Sequence, residues 1–96
     1  MLTHIVCWKY KDETTEAMVG DHTESLRSLP RLIPNIVSFA VGSDILHLER
    51  SFDTALIAVF SGRSAFDAYT DHPEHQKVAL FGREISKQVV SVDFVD

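Results

Sequence analysis

The chain has 96 residues, with 9 Lys and Arg against 14 Asp and Glu and a formal net charge of −5. At this length residues 1–96 are expected to form a single domain around one hydrophobic core. An acidic chain lacks the clustered cations that neutralise a phosphate backbone, so nucleic acid is excluded as a partner.

Apolar residues make up 45% and charged residues 24%, which is globular rather than disordered usage. The longest apolar run, from Ala55 to Phe60, is six residues, far short of the roughly 20 that span a bilayer. The first residues turn charged at Lys9, Lys11, Asp12 and Glu13, too soon for a secretory leader. Cys7 is the single cysteine, so no internal disulfide forms and a reducing cytoplasm is the expected compartment. No membrane partner is expected.

Thr3 to Tyr10 reads as a first strand through Ile5, Val6, Cys7 and Trp8. A first helix opens near Thr14 or Thr15, either of which can cap, and Glu16 suits its positive end. Met18, His22, Leu26, Leu29 and Ile33 recur at spacings of three and four and form one helical face. Pro30 predicts an end near Leu29, with an irregular turn to Pro34. Asn35 to Gly42 reads as strand two. Ser43 to Asp53 is a polar connection with room for a short extended piece at Ile45–Leu48. Thr54 to Ser61 is strand three. Ser64 and Asp67 match a capping box opening a short helix with Phe66 and Tyr69. His72-Pro73 breaks that helix and starts another, with His72 as its cap and Gly82 as its stop. Lys87 to Val95 is the last strand.

The order β-α-β-β-α-β predicts an α+β fold, a ferredoxin-like protomer with a four-stranded antiparallel sheet. Two helices can cover only one face of a four-stranded sheet, so the second face should alternate to polar. It does not: strand three carries Leu56, Ala58 and Phe60 on one face and Ala55, Ile57 and Val59 on the other. Strand two is nearly as apolar, with Ser38 its one polar interruption. A sheet apolar on both sides calls for a cover, and a homodimer packed through sheet faces is the expected one.

Several pieces of the sequence resemble the stress-responsive A/B barrel (Dabb) family of dimeric α+β barrels. They are His4-Ile5-Val6, the helix end Leu26 to Leu29 running into Ile33-Pro34-Asn35-Ile36, Phe39 to Gly42, Phe60-Ser61, and Tyr69-Thr70-Asp71-His72-Pro73-Glu74-His75. The last, Y-x-x-H-P-x-H, is the specific one. The resemblance implies that two protomers close an α+β barrel, and most such proteins have no defined reaction. One plant member is a polyketide cyclase that closes a ring by aldol-type chemistry. Its catalytic Tyr and His match Tyr69 and His75, and a further pocket histidine matches His4. Cofactor-free monooxygenases share the architecture, which by itself does not establish function.

Two roles are open to Tyr69 and His75. A neutral imidazole can take a proton near pH 7 and a tyrosine hydroxyl can stabilise an enolate, so the pair can work on a small apolar carbonyl compound as a cofactor-independent lyase or cyclase. The plainer role, preferred on sequence alone, is a structural tie of the helix break to the end of strand one. No cofactor is implied. His72 and His75 are spaced to share a metal, but two ligands do not make a site. His22, on the apolar stripe, is expected to be partly buried with a hydrogen-bond partner. Trp8 is expected in the core and Cys7 as an inert buried residue. Nucleotide-binding glycine loops and the serine-hydrolase elbow are missing.

Overall fold

Alternation along the strands decides which side of the sheet the helices cover. A computed structural model describes residues 1–96. The elements are β1 (Leu2–Tyr10), α1 (Glu16–Leu32), β2 (Ser38–Ser43), β3 (Thr54–Phe60), α2 (Arg63–Asp71), α3 (Pro73–Ile85) and β4 (Ser86–Val95). The sheet order is β2-β3-β1-β4, every pair antiparallel. This is the ferredoxin-like βαββαβ plan, with the second helical segment split in two at His72-Pro73.

Leu2, Trp8 and Tyr10 of β1 and Leu56, Ala58 and Phe60 of β3 are buried beneath the helices. They join Leu26, Leu29 and Ile33 of α1, Tyr69 of α2 and Ile85 of α3 in one core. The opposite face of the sheet is open. There Ile5 stands opposite Ile57 and Val92, and Cys7 opposite Ala55 and Val90. Ile57 is 44% exposed and Val92 61%, so the apolar second face expected from strands two and three is present in the chain.

Several boundaries differ from expectation, each for a local reason. α1 continues through Pro30 to Leu32 instead of stopping at Leu29. Proline removes one donor from the last turn, and Ile33 N–H still reaches Leu29 O at 2.9 Å, so the stripe stays helical to its end. Thr15 is the cap, its side chain accepting from Met18 N–H. Met18 itself is exposed, and Val19 packs against the core in its place. β2 begins at Ser38 because Asn35, at φ 69°, turns the chain sharply after Pro34. Ser64 and Asp67 form no capping box: α2 starts one residue earlier, after Gly62, and Asp67 pairs instead with Arg63 at 2.8 Å. His72 caps α3 as expected, its Nδ1 accepting from Glu74 N–H at 3.1 Å.

Gly82 does not end α3. It lies inside the helix, where a Cβ would come within 2.7 Å of His22 Nε2 and 2.9 Å of Trp8 Nε1. Glycine at this position lets α3 approach two rings that pack edge-to-face, 4.9 Å apart. Gly82→Ala is therefore expected to destabilise the fold by up to about 2 kcal/mol. Overpacking of about 1–3 kcal/mol outweighs the roughly 1 kcal/mol that alanine gains in a helix. A lowered urea midpoint at unchanged slope is the measurement; an unchanged or raised midpoint would show that the rings move aside freely.

Candidate functional site

The helix break at His72-Pro73 brings together side chains from three elements. α2 ends by placing Tyr69 in the core, 1% exposed. α3 starts with His75, whose ring centroid lies 4.5 Å from that of Tyr69. β1 brings His4 to the other side of the tyrosine, with ring centroids 6.1 Å apart. All three line a partly enclosed pocket of about 340 Å³ between α3 and the β1–β4 half of the sheet. The rest of its wall is mostly apolar and includes Val6, Trp8, Leu56, Val78 and Val89. This volume is at the lower end of the range for small-molecule sites.

Each polar group has a defined protonation pattern. His75 Nδ1 lies 3.0 Å from the Thr70 carbonyl oxygen. A carbonyl only accepts, so Nδ1 carries the proton and Nε2 keeps its lone pair. Burial pushes the His75 pKa down, the Thr70 carbonyl acts against that, and His4, Arg83 and His72 add smaller downward pushes. The ring is neutral at neutral pH. His4 Nδ1 donates to Asp93 Oδ1, on the residue directly opposite it in β4. That carboxylate fixes Nδ1 as the donor and orients the ring, and Nε2 of His4 has no hydrogen-bond partner within the chain. Burial raises the Tyr69 pKa far above its usual value, with no hydrogen bond contributing. The phenol keeps its proton and has it to donate. Tyr10 is different, since its hydroxyl is tied to both Thr54 and His22.

Structural tie and free base therefore turn out to be compatible roles for His75. The tie exists, but it joins α3 to the end of α2 rather than to strand one. His72 and His75 are both committed through Nδ1 to backbone groups, and no group of three or more His, Cys, Asp or Glu side chains is placed to hold a metal ion. His22 is fully buried rather than partly so, with its Nδ1 2.7 Å from the Tyr10 hydroxyl. Trp8 is both core and pocket wall. Two site residues were missed from sequence. Asp93 needed the β1–β4 register to be seen as a partner of His4. Arg83, on the pocket wall, carries no motif that sets it apart in the sequence.

The profile of the stress-responsive A/B barrel domain family matches residues 2–96 of the chain. The chain belongs to that family. Among solved structures this A/B barrel domain is similar to a dimeric ferredoxin-like protein of unknown function from Thermobifida fusca. That likeness is 28% identity over 99% of this chain and 90% of the other, with a TM-score of 0.90. A second dimeric protein of unknown function and ferredoxin-like fold, from Bacteroides fragilis, is 23% identical over 99% and 95%, with a TM-score of 0.86. A hydroxynitrile lyase from Passiflora edulis is 16% identical over 99% and 92%, with a TM-score of 0.88. At those last two identities the likeness is one of fold. No curated protein matches the sequence of this A/B barrel domain. None of its helices is long and apolar enough to cross a membrane.

Proposed function

We propose that this A/B barrel domain works as a homodimer joined through its open sheet faces, each protomer binding a small, largely apolar carbonyl compound and moving a proton on it without a cofactor. The observation that carries the reading is the Tyr69 hydroxyl, free of protein partners beside a neutral His75 whose second nitrogen is already anchored. Most buried polar side chains are satisfied within the chain, as the Tyr10 hydroxyl is.

In this reading the substrate carbonyl oxygen accepts a hydrogen bond from Tyr69. His75 Nε2 takes a proton from the neighbouring carbon, and the C–H electron pair moves onto the carbonyl oxygen as an enolate. Tyr69 stabilises the charge where it develops, beside a mostly apolar wall. His4, held by Asp93, is a second proton carrier. The enolate carbon can then bond to another carbonyl carbon of the same molecule, whose oxygen takes up a proton from the imidazolium. That sequence is an aldol-type cyclisation, and its reverse is a lyase step. A non-catalytic A/B barrel domain with the same pocket is the other reading, and the two separate in one experiment.

That experiment is deuterium exchange at the α-carbon of an aryl alkyl ketone in D₂O, followed by NMR. The wild type is expected to accelerate exchange over buffer. His75→Ala should lower the rate by about 10²–10⁴-fold, the usual contribution of a positioned base. Tyr69→Phe should lower it by about 10²–10³-fold, as for removal of one oxyanion donor. His75→Ala also loses the Thr70 tie, so its melt should fall by about 1 kcal/mol. Tyr69→Phe should melt like the wild type. Exchange no faster than buffer, with the ketone bound, would leave the domain a binding module.

A further inference from the structure

α3 runs alongside β1 in the same direction: His75 near its start shares the pocket with His4, and Gly82 near its end lies against Trp8. The pocket is therefore a slot with the histidines and Tyr69 at one end. His75, Ala79 and Arg83 follow one another at i, i+4 and i+8 and all three line it. Eight helical residues rise about 12 Å, and a long helical side chain leans back toward the helix N-terminus. Arg83 thus extends over the small Ala79 toward the reactive end, close enough to depress the His75 pKa. It also lines the open shelf next to the pocket, together with Thr70, His75 and Lys77.

We infer that the ligand of this pocket is an anion, an oxo-carboxylate in its simplest form, whose carboxylate is held by Arg83 while its carbonyl lies at Tyr69 and His75. The inference rests on the proton-transfer reading and adds the substrate class to it. Its ground is a charge without a mate. The other basic side chain at the rim, Lys77, is paired with Glu74 at 3.3 Å, whereas Arg83 has no salt bridge or side-chain hydrogen bond within the chain. Neither the slot nor the shelf includes an Asp or Glu in its wall. In a protein of net charge −5, an unpaired guanidinium on a mostly apolar slot whose own wall contains no carboxylate selects for negative charge. A guanidinium also offers two parallel N–H donors, which match a carboxylate. Placed there, the carboxylate offsets the positive charge beside His75, so the bound ligand strengthens the base that acts on it.

The test uses benzoylpropionate and benzoylbutyrate, each beside its uncharged methyl ester, with binding read from Trp8 fluorescence and by calorimetry at low ionic strength. Trp8 is the single tryptophan and forms part of the pocket wall. At least one acid should bind the wild type about tenfold more tightly than its ester, the scale of one charge-assisted contact. Arg83→Gln should bring acid and ester to equal affinity. Arg83 is exposed, so this variant is expected to fold, which a thermal melt checks. Acid preference absent from the wild type, or surviving in Arg83→Gln, overturns the inference. If the esters bind and exchange their α-protons with no acid preference, the anion assignment alone fails. If neither acids nor esters bind, the pocket reading falls with it.

Discussion

Ile57→Asp is expected to convert the dimer into a folded monomer at micromolar concentration. Ile57 sits mid-strand on the open face, flanked by Ala40 on β2 and Ile5 on β1, at the centre of the surface proposed to meet the second copy. An aspartate there would be desolvated without a partner, at a cost of about 3–5 kcal/mol. That is about a 10²–10⁴-fold weaker association. Light scattering should move from twice the 10.8 kDa chain mass to the chain mass itself, with the circular dichroism spectrum retained. Leu56→Asp is the contrast. Leu56 is 2% exposed and faces the helices, so its replacement should unfold the protein rather than split it. A wild type that scatters as a monomer at micromolar concentration would remove the dimer altogether.

Stability should also fall as the pH drops from about 6.5 to about 4, by roughly 3 kcal/mol, and His22 is the cause. Tyr10 donates its hydroxyl proton to Thr54, so His22 donates to Tyr10 through Nδ1, and His22 Nε2 is left buried without a partner. An uncharged nitrogen tolerates this; a protonated one does not. Burial accordingly depresses the His22 pKa to about 4. The unfolded chain binds this proton near pH 6.5 and the folded chain only near 4. Between those values the unfolded state holds more protons and gains as pH falls; below about 4 the loss levels off. His75, depressed in the same direction, adds a smaller slope of the same sign. Urea unfolding at pH 7, 5.5 and 4.5 measures the effect. His22→Gln should flatten most of the dependence, and a variant with the wild-type slope would place the cause elsewhere.

The fold was legible because its signals are local. The β-branched and aromatic runs of β1, β3 and β4 and the three-and-four spacing in α1 are read directly from residue types. His72-Pro73 marked the helix break because proline at a first helical position needs no donor. What escaped depended on neighbours distant in the chain. Gly82 looks like a stop until His22 and Trp8 are seen to fill the space that a Cβ would occupy. Asp93 is one acidic residue among many until the register sets it opposite His4. The connection from Ser43 to Asp53 holds no extended piece at Ile45–Leu48. The Asp44 carboxylate accepts from His47 N–H at 2.7 Å and folds the segment into a turn, with His47 at φ 53°. That local capture competes with strand formation and overrides the apolar side chains. The candidate site was legible in part: the Y-x-x-H-P-x-H piece, through its family resemblance, pointed to Tyr69 and His75, whereas the bonds that hold His4 and His75 through Nδ1 are contacts only the folded chain makes.

β4 serves two masters on alternate residues. Val89, Ser91 and Asp93 turn toward the helices, where the first two line the pocket and the third holds His4, while Val90, Val92 and Phe94 turn to the open face. Because the side-chain period of a strand is two, one added or lost residue near Gln88 would exchange these roles along everything that follows. Valines and a phenylalanine would then fill the slot, and Asp93 would be driven into the apolar face. Divergence in this strand is therefore confined to replacement in place. Length changes during the history of such domains belong in the connection between β2 and β3, where no parity is at stake.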